Sequence, residues 1–288
     1  MREIVVISGK GGTGKTSLTG AFAHLAQDKI ICDLDVDAPD LHILLSPEYR
    51  VNHDFYSGNE AAIDHSRCSD CGICLDMCKF GAVSFEQERY AINPLRCEGC
   101  KVCVVFCPDE AIDFSARRCG EWHVSSTRFG TMVHARLFPG AENSGRLVTL
   151  LRNKAREKAK AQGKDLILCD GAPGIGCPVI SSLSGTNLAV VVTEPSLSGL
   201  HDLKRVSRLC THFRIKVTVI INKYDLNFEQ TLEIEDYCRR KGHELAGNLP
   251  YDPEFTMAMV ERKVITEISE SDLTAKVRNI WARITDLL

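Results

Sequence analysis

No stretch of this 288-residue chain approaches the roughly 18–20 consecutive apolar residues of a membrane-spanning helix, so no membrane partner is expected. The apolar run from Met1 to Ser8 is too short for a secretory signal, which points to a cytoplasmic protein. A basic excess is lacking too. Formal net charge is −3, so no global positive field draws nucleic acid, and none is expected as a partner. Low-complexity linkers are missing, so nothing marks a flexible tether. The 44% hydrophobic and 25% charged content is that of an ordinary globular protein.

Cysteine is what the chain has in excess, with fourteen. Without a secretory signal these thiols are expected to stay reduced, which argues against disulfides. Eight of them fall between Cys68 and Cys107 at short, regular spacings, a clustering that points to metal. Cys32 and Cys169 lie in apolar runs and read as inert core thiols. Cys210 and Cys238 lie in helical stretches without ligand spacing, and Cys119 stands alone.

Short apolar runs alternate with helical patterns on both sides of the cysteine-rich segment. Strands are expected at 3–7, 30–34, 165–169, 188–192 and 217–221. Helices are expected at about 15–27, 143–161, 197–210 and 229–241. This rhythm predicts an α/β fold with a mostly parallel sheet flanked by helices. The cysteine segment then reads as an inserted α+β domain. The expected division is 1–63 for the first part of the main domain, 64–115 for the insert and 116–288 for the second part. The basic run Arg152, Lys154, Arg156, Lys158, Lys160 and Lys164 reads as a solvated helix face, with docking of an acidic partner as the alternative. Leu273, Val277, Ile280, Trp281, Ile284 and Leu288 form the stripe of a core-facing last helix.

Gly9-Lys10-Gly11-Gly12-Thr13-Gly14-Lys15-Thr16, continued by Ser17, fits the phosphate-binding pattern G-x-x-x-x-G-K-[ST] and lies between a strand and a helix. Glycines let backbone N–H groups wrap phosphates, and the helix N-terminus adds positive potential. Lys15 is expected on the β- and γ-phosphates and Thr16 on Mg²⁺. Asp33, Asp35 and Asp37 follow the second strand, and Asp170-Gly171-Ala172-Pro173-Gly174 follows a later one. Asn222-Lys223-Tyr224-Asp225 spells N-K-x-D, which GTPases use to read guanine.

Lys10, at the second position of the loop, resembles the signature of the deviant Walker A ATPases, a superfamily that includes MinD, ParA and the nitrogenase iron protein. The resemblance spans most of the chain. It implies a homodimer enclosing two Mg-ATP, with Lys10 reaching the partner's phosphates as an arginine finger does. It makes Asp35 the candidate for orienting the attacking water, with Asp33 and Asp37 unranked beside it, and associates Thr16, Asp35 and Asp170 with Mg²⁺. It also places Asn222, Lys223, Pro250 and Asp252 at an adenine, with GTP as the alternative nucleotide. Catalysis is assigned to Lys10, Lys15 and Asp35, and phosphate binding to Gly9, Gly11, Gly12, Thr13, Gly14, Lys15, Thr16 and Ser17.

The eight clustered cysteines write the two-cluster bacterial ferredoxin pattern twice, Cys68-x2-Cys71-x2-Cys74-x3-Cys78 and Cys97-x2-Cys100-x2-Cys103-x3-Cys107-Pro108. In that pattern the fourth cysteine of each run serves the other cluster. One 4Fe–4S cluster is therefore expected on Cys68, Cys71, Cys74 and Cys107, and a second on Cys97, Cys100, Cys103 and Cys78. Zinc favours paired C-x2-C units instead.

Together these features resemble the MinD-superfamily ATPases that contain an inserted ferredoxin domain, related to the nitrogenase iron protein and to Mrp-type iron–sulfur carriers. Supporting stretches include Gly174-Ile175-Gly176-Cys177-Pro178-Val179 and Thr193-Glu194-Pro195. The resemblance implies slow ATP hydrolysis coupled to electron transfer or to metallocofactor assembly, with a redox acceptor or an assembly protein as partner. The alternative is a MinD-like positioning ATPase with structural clusters. Cys177 follows Asp170 at the spacing of a cluster ligand in the iron protein. Three readings stay open for it: a bridging ligand, a reactive interface thiol, and a structural residue opening a helix ahead of Pro178.

Overall fold

Strand β1 (Arg2–Ser8) is buried from Glu3 onward, as a non-alternating apolar run requires when both faces of a sheet are covered. It opens a computed structural model that describes residues 1–268 and 270–288. The chain continues through α1 (Lys15–Leu25), β2 (Lys29–Asp33), α2 (Leu41–Leu45), β3 (Glu48–Ile63), α3 (Ile73–Met77), β4 (Val83–Glu86), β5 (Arg89–Ile92) and α4 (Val102–Val105). After these come β6 (Ile112–Thr127), β7 (Gly130–Leu137), α5 (Ser144–Ala161), β8 (Leu166–Pro173), α6 (Cys177–Leu183), β9 (Leu188–Thr193) and α7 (Leu197–His212). The order ends with β10 (Lys216–Asn222), α8 (Phe228–Lys241), β11 (Glu244–Leu249), α9 (Glu254–Val260), α10 (Ile265–Ile268) and α11 (Asp272–Asp286).

Two compact units result. The first holds Met1–His53, Trp122–Arg136 and Ser144–Leu288, and the second holds Asp54–Glu121 and Leu137–Asn143. Among the described residues, nine strands form a sheet in the order β11-β10-β9-β1-β8-β2-β7-β6-β3. Pairing from β11 through to β7 is parallel throughout. Parallel strands put all their carboxyl ends on one edge, where ligands of open α/β sheets bind. Here that edge carries Gly9 after β1, Asp33 ending β2, Glu194 after β9, Asn222 ending β10 and Pro250 after β11.

Two sequence expectations change. The region after β2 and the one before α5 contain strands β3, β6 and β7, which no sequence pattern marks. Glu48–Ile63 is polar through most of its length and ends the sheet, so it lacks the unbroken apolar run that marks strands buried on both faces. The basic run on α5 is also not one solvated face. Arg152 is only 4% exposed, and its Nε donates to Glu3 Oε1 at 2.5 Å, while its Nη1 donates to the carbonyls of Ser181 and Ser184 at 2.6 Å each. Arg156, one helical turn on, donates to Glu3 Oε2 at 2.7 Å. The remaining lysines of the run are wholly or partly exposed.

Helix α11 packs its stripe inward. Leu273, Val277, Ile280, Trp281 and Ile284 join the main core, with Trp281 stacked on Phe22 at 5.1 Å between ring centroids. Each such side chain contributes ~1.5–3 kcal/mol of burial. Ser196 caps α7 by accepting from the Gly199 N–H at 3.0 Å, which fixes where that helix starts beside the phosphate loop.

The second unit is built from short pieces. Strands β4 and β5 form an antiparallel hairpin pairing Glu86 with Arg89. Its two turn residues, Gln87 and Glu88, have φ of 50° and 62°, the left-handed pair that a tight hairpin demands. The doubled cysteine motif folds twice in the same way. Cys68 and Cys97 each donate their backbone N–H to a carbonyl four residues earlier. Cys78 and Cys107 each accept at sulfur from a backbone N–H four residues later, at 3.4 and 3.3 Å.

Candidate functional site

The loop from Gly9 to Gly14 turns the chain from β1 into α1. Glycine is required at both ends. A Cβ on Gly9 would meet Asp202 Cβ on α7 at 2.2 Å. Gly14 adopts φ 90°, and a Cβ there would lie 2.5 Å from Asn222 Nδ2.

Lys15 opens α1 and is 6% exposed. Its Nζ lies 3.0 Å from Asp170 Oδ1 and 3.5 Å from Asp35 Oδ2. Burial alone would lower the pKa of this ammonium, but Asp170, Asp35 and Asp33 together outweigh it and raise it. Thr16 Oγ1 donates to Asp170 Oδ2 at 2.8 Å, and Thr19 Oγ1 lies 2.9 Å from Asp170 Oδ1. Asp170 faces Asp33 across the β2–β8 pairing.

The three aspartates after β2 separate by environment. Asp33 is 1% exposed, and its Oδ1 accepts from the Asp35 N–H at 3.1 Å. Burial, then the Asp170 carboxylate, raise its pKa well above the ordinary value. Asp35 is 9% exposed and ion-paired to Lys15; burial raises its pKa, with Lys15 opposing. Asp37 is exposed.

A cleft of about 610 Å³, counting the solvent at its mouth, runs from the loop across the ends of β10 and β11. Gly12, Gly14, Ser17, Asn222, Lys223, Pro250 and Asp252 line it, all expected from sequence. Tyr251, within the base-side stretch Pro250-Tyr251-Asp252, lines it too, as do Phe255, Thr256 and Met259, which were not expected. The signal for these three was their position one to two turns after that stretch. Asn222 braces the loop, with its Nδ2 donating to the Thr13 carbonyl at 2.9 Å. Lys223 Nζ donates to the Gly12 carbonyl at 3.2 Å. Asp225, the guanine-reading position of N-K-x-D, does not line the cleft. Its Oδ1 accepts from the Tyr251 N–H at 2.6 Å.

Lys10 is held within its own chain. Its Nζ lies 2.6 Å from Glu194 Oε1 and donates to Ser198 Oγ at 2.9 Å. Cys177 is exposed at the first position of α6, with Pro178 following. Gly145 at the start of α5 lies against it, since a Cβ there would meet Cys177 Cβ at 3.2 Å.

In the second unit, Cys68, Cys71, Cys74 and Cys107 line one small cavity, about 310 Å³ counting the solvent at its mouth, with Ile63, Ile73, Tyr90 and Ile112. Cys97, Cys100 and Cys103 lie near one another; burial raises the Cys103 thiol pKa, and the other two add to it. For Cys78, burial is outweighed by backbone N–H groups, from Ala82 first, and the pKa is lowered. Among the described residues, no group of three or more His, Cys, Asp or Glu side chains is placed to hold a single metal ion. No described helix is long and apolar enough to cross a membrane.

Known proteins place the main unit. The chain is 33% identical to an uncharacterised protein of Methanocaldococcus jannaschii over 78% of its own length and 79% of that protein's. It is 22% identical to the septum site-determining protein MinD of Bacillus subtilis, covering 98% of this chain and 88% of that one. In structure it resembles the cell division ATPase MinD of Pyrococcus furiosus, with a TM-score of 0.60 at 17% identity over 100% of this chain and 99% of the other. It also resembles the MinD of Pyrococcus horikoshii solved with Mg-ADP, with a TM-score of 0.58 at 18% identity over 99% and 96%. Residues 4–265 match the CobQ/CobB/MinD/ParA nucleotide binding domain, so the chain belongs to that family and is a P-loop ATPase of the MinD/ParA type.

Proposed function

We propose that this ATPase is a Mg-ATP-driven dimer switch. The observation that carries the reading is the convergence of Lys15, Thr16, Asp35 and Asp170 beneath the phosphate loop. Lys15 binds the β- and γ-phosphates, and Thr16 with Asp170 holds Mg²⁺. Asp35 orients the attacking water, since it is the least buried carboxylate paired with Lys15. A buried Thr13 hydroxyl without a hydrogen-bond partner supports the fit of the loop to a phosphate. Adenine fits the cleft better than guanine, because Asp225 is turned to the Tyr251 backbone.

The relatives favour a MinD-like positioning role over redox work. Several are septum site-determining proteins, and a MinC:MinD complex from Aquifex aeolicus is among the structural neighbours. In this reading the dimer displays a surface to a partner protein, and the cysteine unit is a structural element. Helix α11 spends its apolar stripe on the core, so it is not available to lie on a membrane.

A second reading rests on the four-thiol cavity. Its donors fit a 4Fe–4S cluster, with four cysteines, apolar walls and an N–H bond to the Cys107 sulfur. A cubane gives each thiolate a different iron, so the lack of a single-ion site is compatible with it. Cys68, Cys71, Cys74 and Cys107 hold one cluster, and Cys97, Cys100, Cys103 and Cys78 the other. Bound clusters would supply one-electron chemistry, and nucleotide-driven closure would gate its access to an acceptor or an assembly client.

One sample tests both. Asp35→Ala protein is purified anaerobically and saturated with Mg-ATP. Light scattering should give a dimer, and a strict monomer overturns the switch. Metal analysis should approach about eight irons per chain if both clusters are present; stoichiometric zinc without iron overturns the second reading alone.

A further inference from the structure

Glu194 is absent from every role assigned above, yet it contacts Lys10 of the phosphate loop and Lys223, which bonds to that loop. It follows β9 and precedes α7. Its Oε1 lies 2.6 Å from Lys10 Nζ, and its Oε2 lies 3.8 Å from Lys223 Nζ. Lys10 Nζ also donates to Ser198 Oγ at 2.9 Å, and Ser198 lies 3.1 Å from Ser196 Oγ, the cap of α7. Lys223 Nζ reaches back to the Gly12 carbonyl at 3.2 Å. The backbone on both sides is tightly constrained. Gly9 lies against Asp202, and Gly199 lies against the Glu194 carbonyl, where a Cβ would sit 2.2 Å away. The backbone that carries Glu194 is therefore held at the start of α7.

Lys10 lies 2.6 Å from Glu194 of its own chain. Its ammonium has three donors, so one contact does not forbid another. Reaching a partner's phosphates, however, would carry it away from a carboxylate whose backbone stays at the start of α7, so the two engagements compete.

We propose that Glu194 is a positioning residue for the dimer switch, a latch that holds Lys10 in its own subunit and so sets the Mg-ATP concentration at which dimers form. This rests on the trans role of Lys10 proposed above. Lys223 shares the latch carboxylate and lines the nucleotide cleft. Ser198 is the weaker half of the latch.

The test uses the full chain in the hydrolysis-blocked Asp35→Ala background, with Mg-ATP titrated and dimer followed by light scattering. Glu194→Gln removes the charge and keeps the shape. A partly exposed ion pair of this kind is worth about a two- to fivefold factor per subunit, so the dimer dissociation constant should fall about four- to twenty-fivefold. Ser198→Ala should move it in the same direction by less, and it carries the test if Glu194→Gln does not fold. Adding Lys10→Ala should erase the difference between Glu194 and Gln. The nucleotide Kd measured at low, monomeric protein concentration should stay unchanged. An unchanged or weaker dimer in Glu194→Gln overturns the latch while leaving the dimer reading intact. An equal shift in the monomer's nucleotide Kd also overturns it, since Glu194 would then act on nucleotide and not on Lys10. Failure of the Asp35→Ala parent to dimerise at saturation overturns the dimer reading and the latch with it.

Discussion

The two units set the same residue in opposite surroundings. In the ATPase unit Cys32, Cys169, Cys210 and Cys238 are buried. Burial pushes the Cys210 and Cys238 thiols up to about 12. The contact with Cys32, then burial, raises Cys169 well beyond its usual value. These thiols act as small apolar side chains. In the second unit the eight clustered cysteines are half-buried or exposed and stand around short helices. The large apolar core draws all its members from the ATPase unit. The second unit buries only a scatter, including Phe55, Ala82, Val83, Ala111 and Ile112. A segment with so little apolar burial gains most from bound ligands. One unit is stabilised by what its cysteines exclude; on the cluster reading, the other would be stabilised by what they bind.

On the cluster reading, the largest expected break in this contrast comes from removing metal. Stripping it, or replacing Cys74 by Ser, should abolish amide-exchange protection across 64–115. The strands β1, β8 and β9 should stay protected. Hydrogen exchange followed by mass spectrometry reads both at once. Equal protection in stripped and loaded protein would mean that the second unit holds itself together without ligands.

Next come the phosphate-site variants, which should disable the ATPase unit while sparing the second. Lys15→Ala removes the buried cation that three aspartates surround and should abolish tight ATP binding. Asp35→Ala leaves the cradle intact, so binding should persist while turnover falls about 10²–10³-fold. Metal content should not change in either. Wild-type hydrolysis by Asp35→Ala would move the water-orienting role to Asp33 or Asp37.

The contrast between the units also explains what was readable in the sequence. The expected helices and strands around the phosphate loop all appear, because buried parallel strands write unbroken apolar runs and their ends carry the motif residues. The ion pair of Lys15 with Asp170 was not among the expectations; the structure brings them to 3.0 Å. Strands β3 and β6 escaped notice because they pass from one unit into the other, and their residues meet no single continuous core. Arg152 escaped because a charge run looks alike whether it faces water or a buried Glu3. Phe255 and Met259 carry no motif of their own, and only their place after Pro250-Tyr251-Asp252 hints at the cleft they line. For Lys10, the sequence predicted a partner in another subunit, but it gave no sign of Glu194, 184 residues away in its own.

A smaller effect concerns acid. His134 on β7 is 3% exposed and paired with Ser125 Oγ at 2.8 Å. Burial, with His123 and then His42 adding to it, pulls its pKa down to about 3. A histidine lowered in the folded state takes up its proton more readily when unfolded. Its contribution is therefore present above about pH 6.5 and is lost as pH falls toward the folded value. Between pH 7 and pH 5 the ATPase unit should lose about 2 kcal/mol from this group. Urea denaturation at both pH values, compared with His134→Gln, isolates it. The same slope in both proteins would remove His134 from the account.

The smallest effect leaves stability untouched and tests the comparison residue by residue. In metal-loaded protein, alkylation at pH 8 should mark Cys177, which is exposed on α6 and outside every cysteine run. It should not mark Cys210 or Cys238. With a pKa of about 12, either thiol is ionised to only about one part in 10⁴ at that pH, and alkylation needs the thiolate. Stripping metal should add the eight clustered cysteines to the labelled set and leave Cys32, Cys169, Cys210 and Cys238 dark. Mg-ATP then asks a further question of Cys177 alone. Gly145 at the start of α5 packs against it, so closure of a dimer over this face should slow its labelling, while a face left open should not. Labelling of Cys210 at the rate of Cys177 would mean that the ATPase unit opens its core, and that its buried thiols are not the inert half of the comparison.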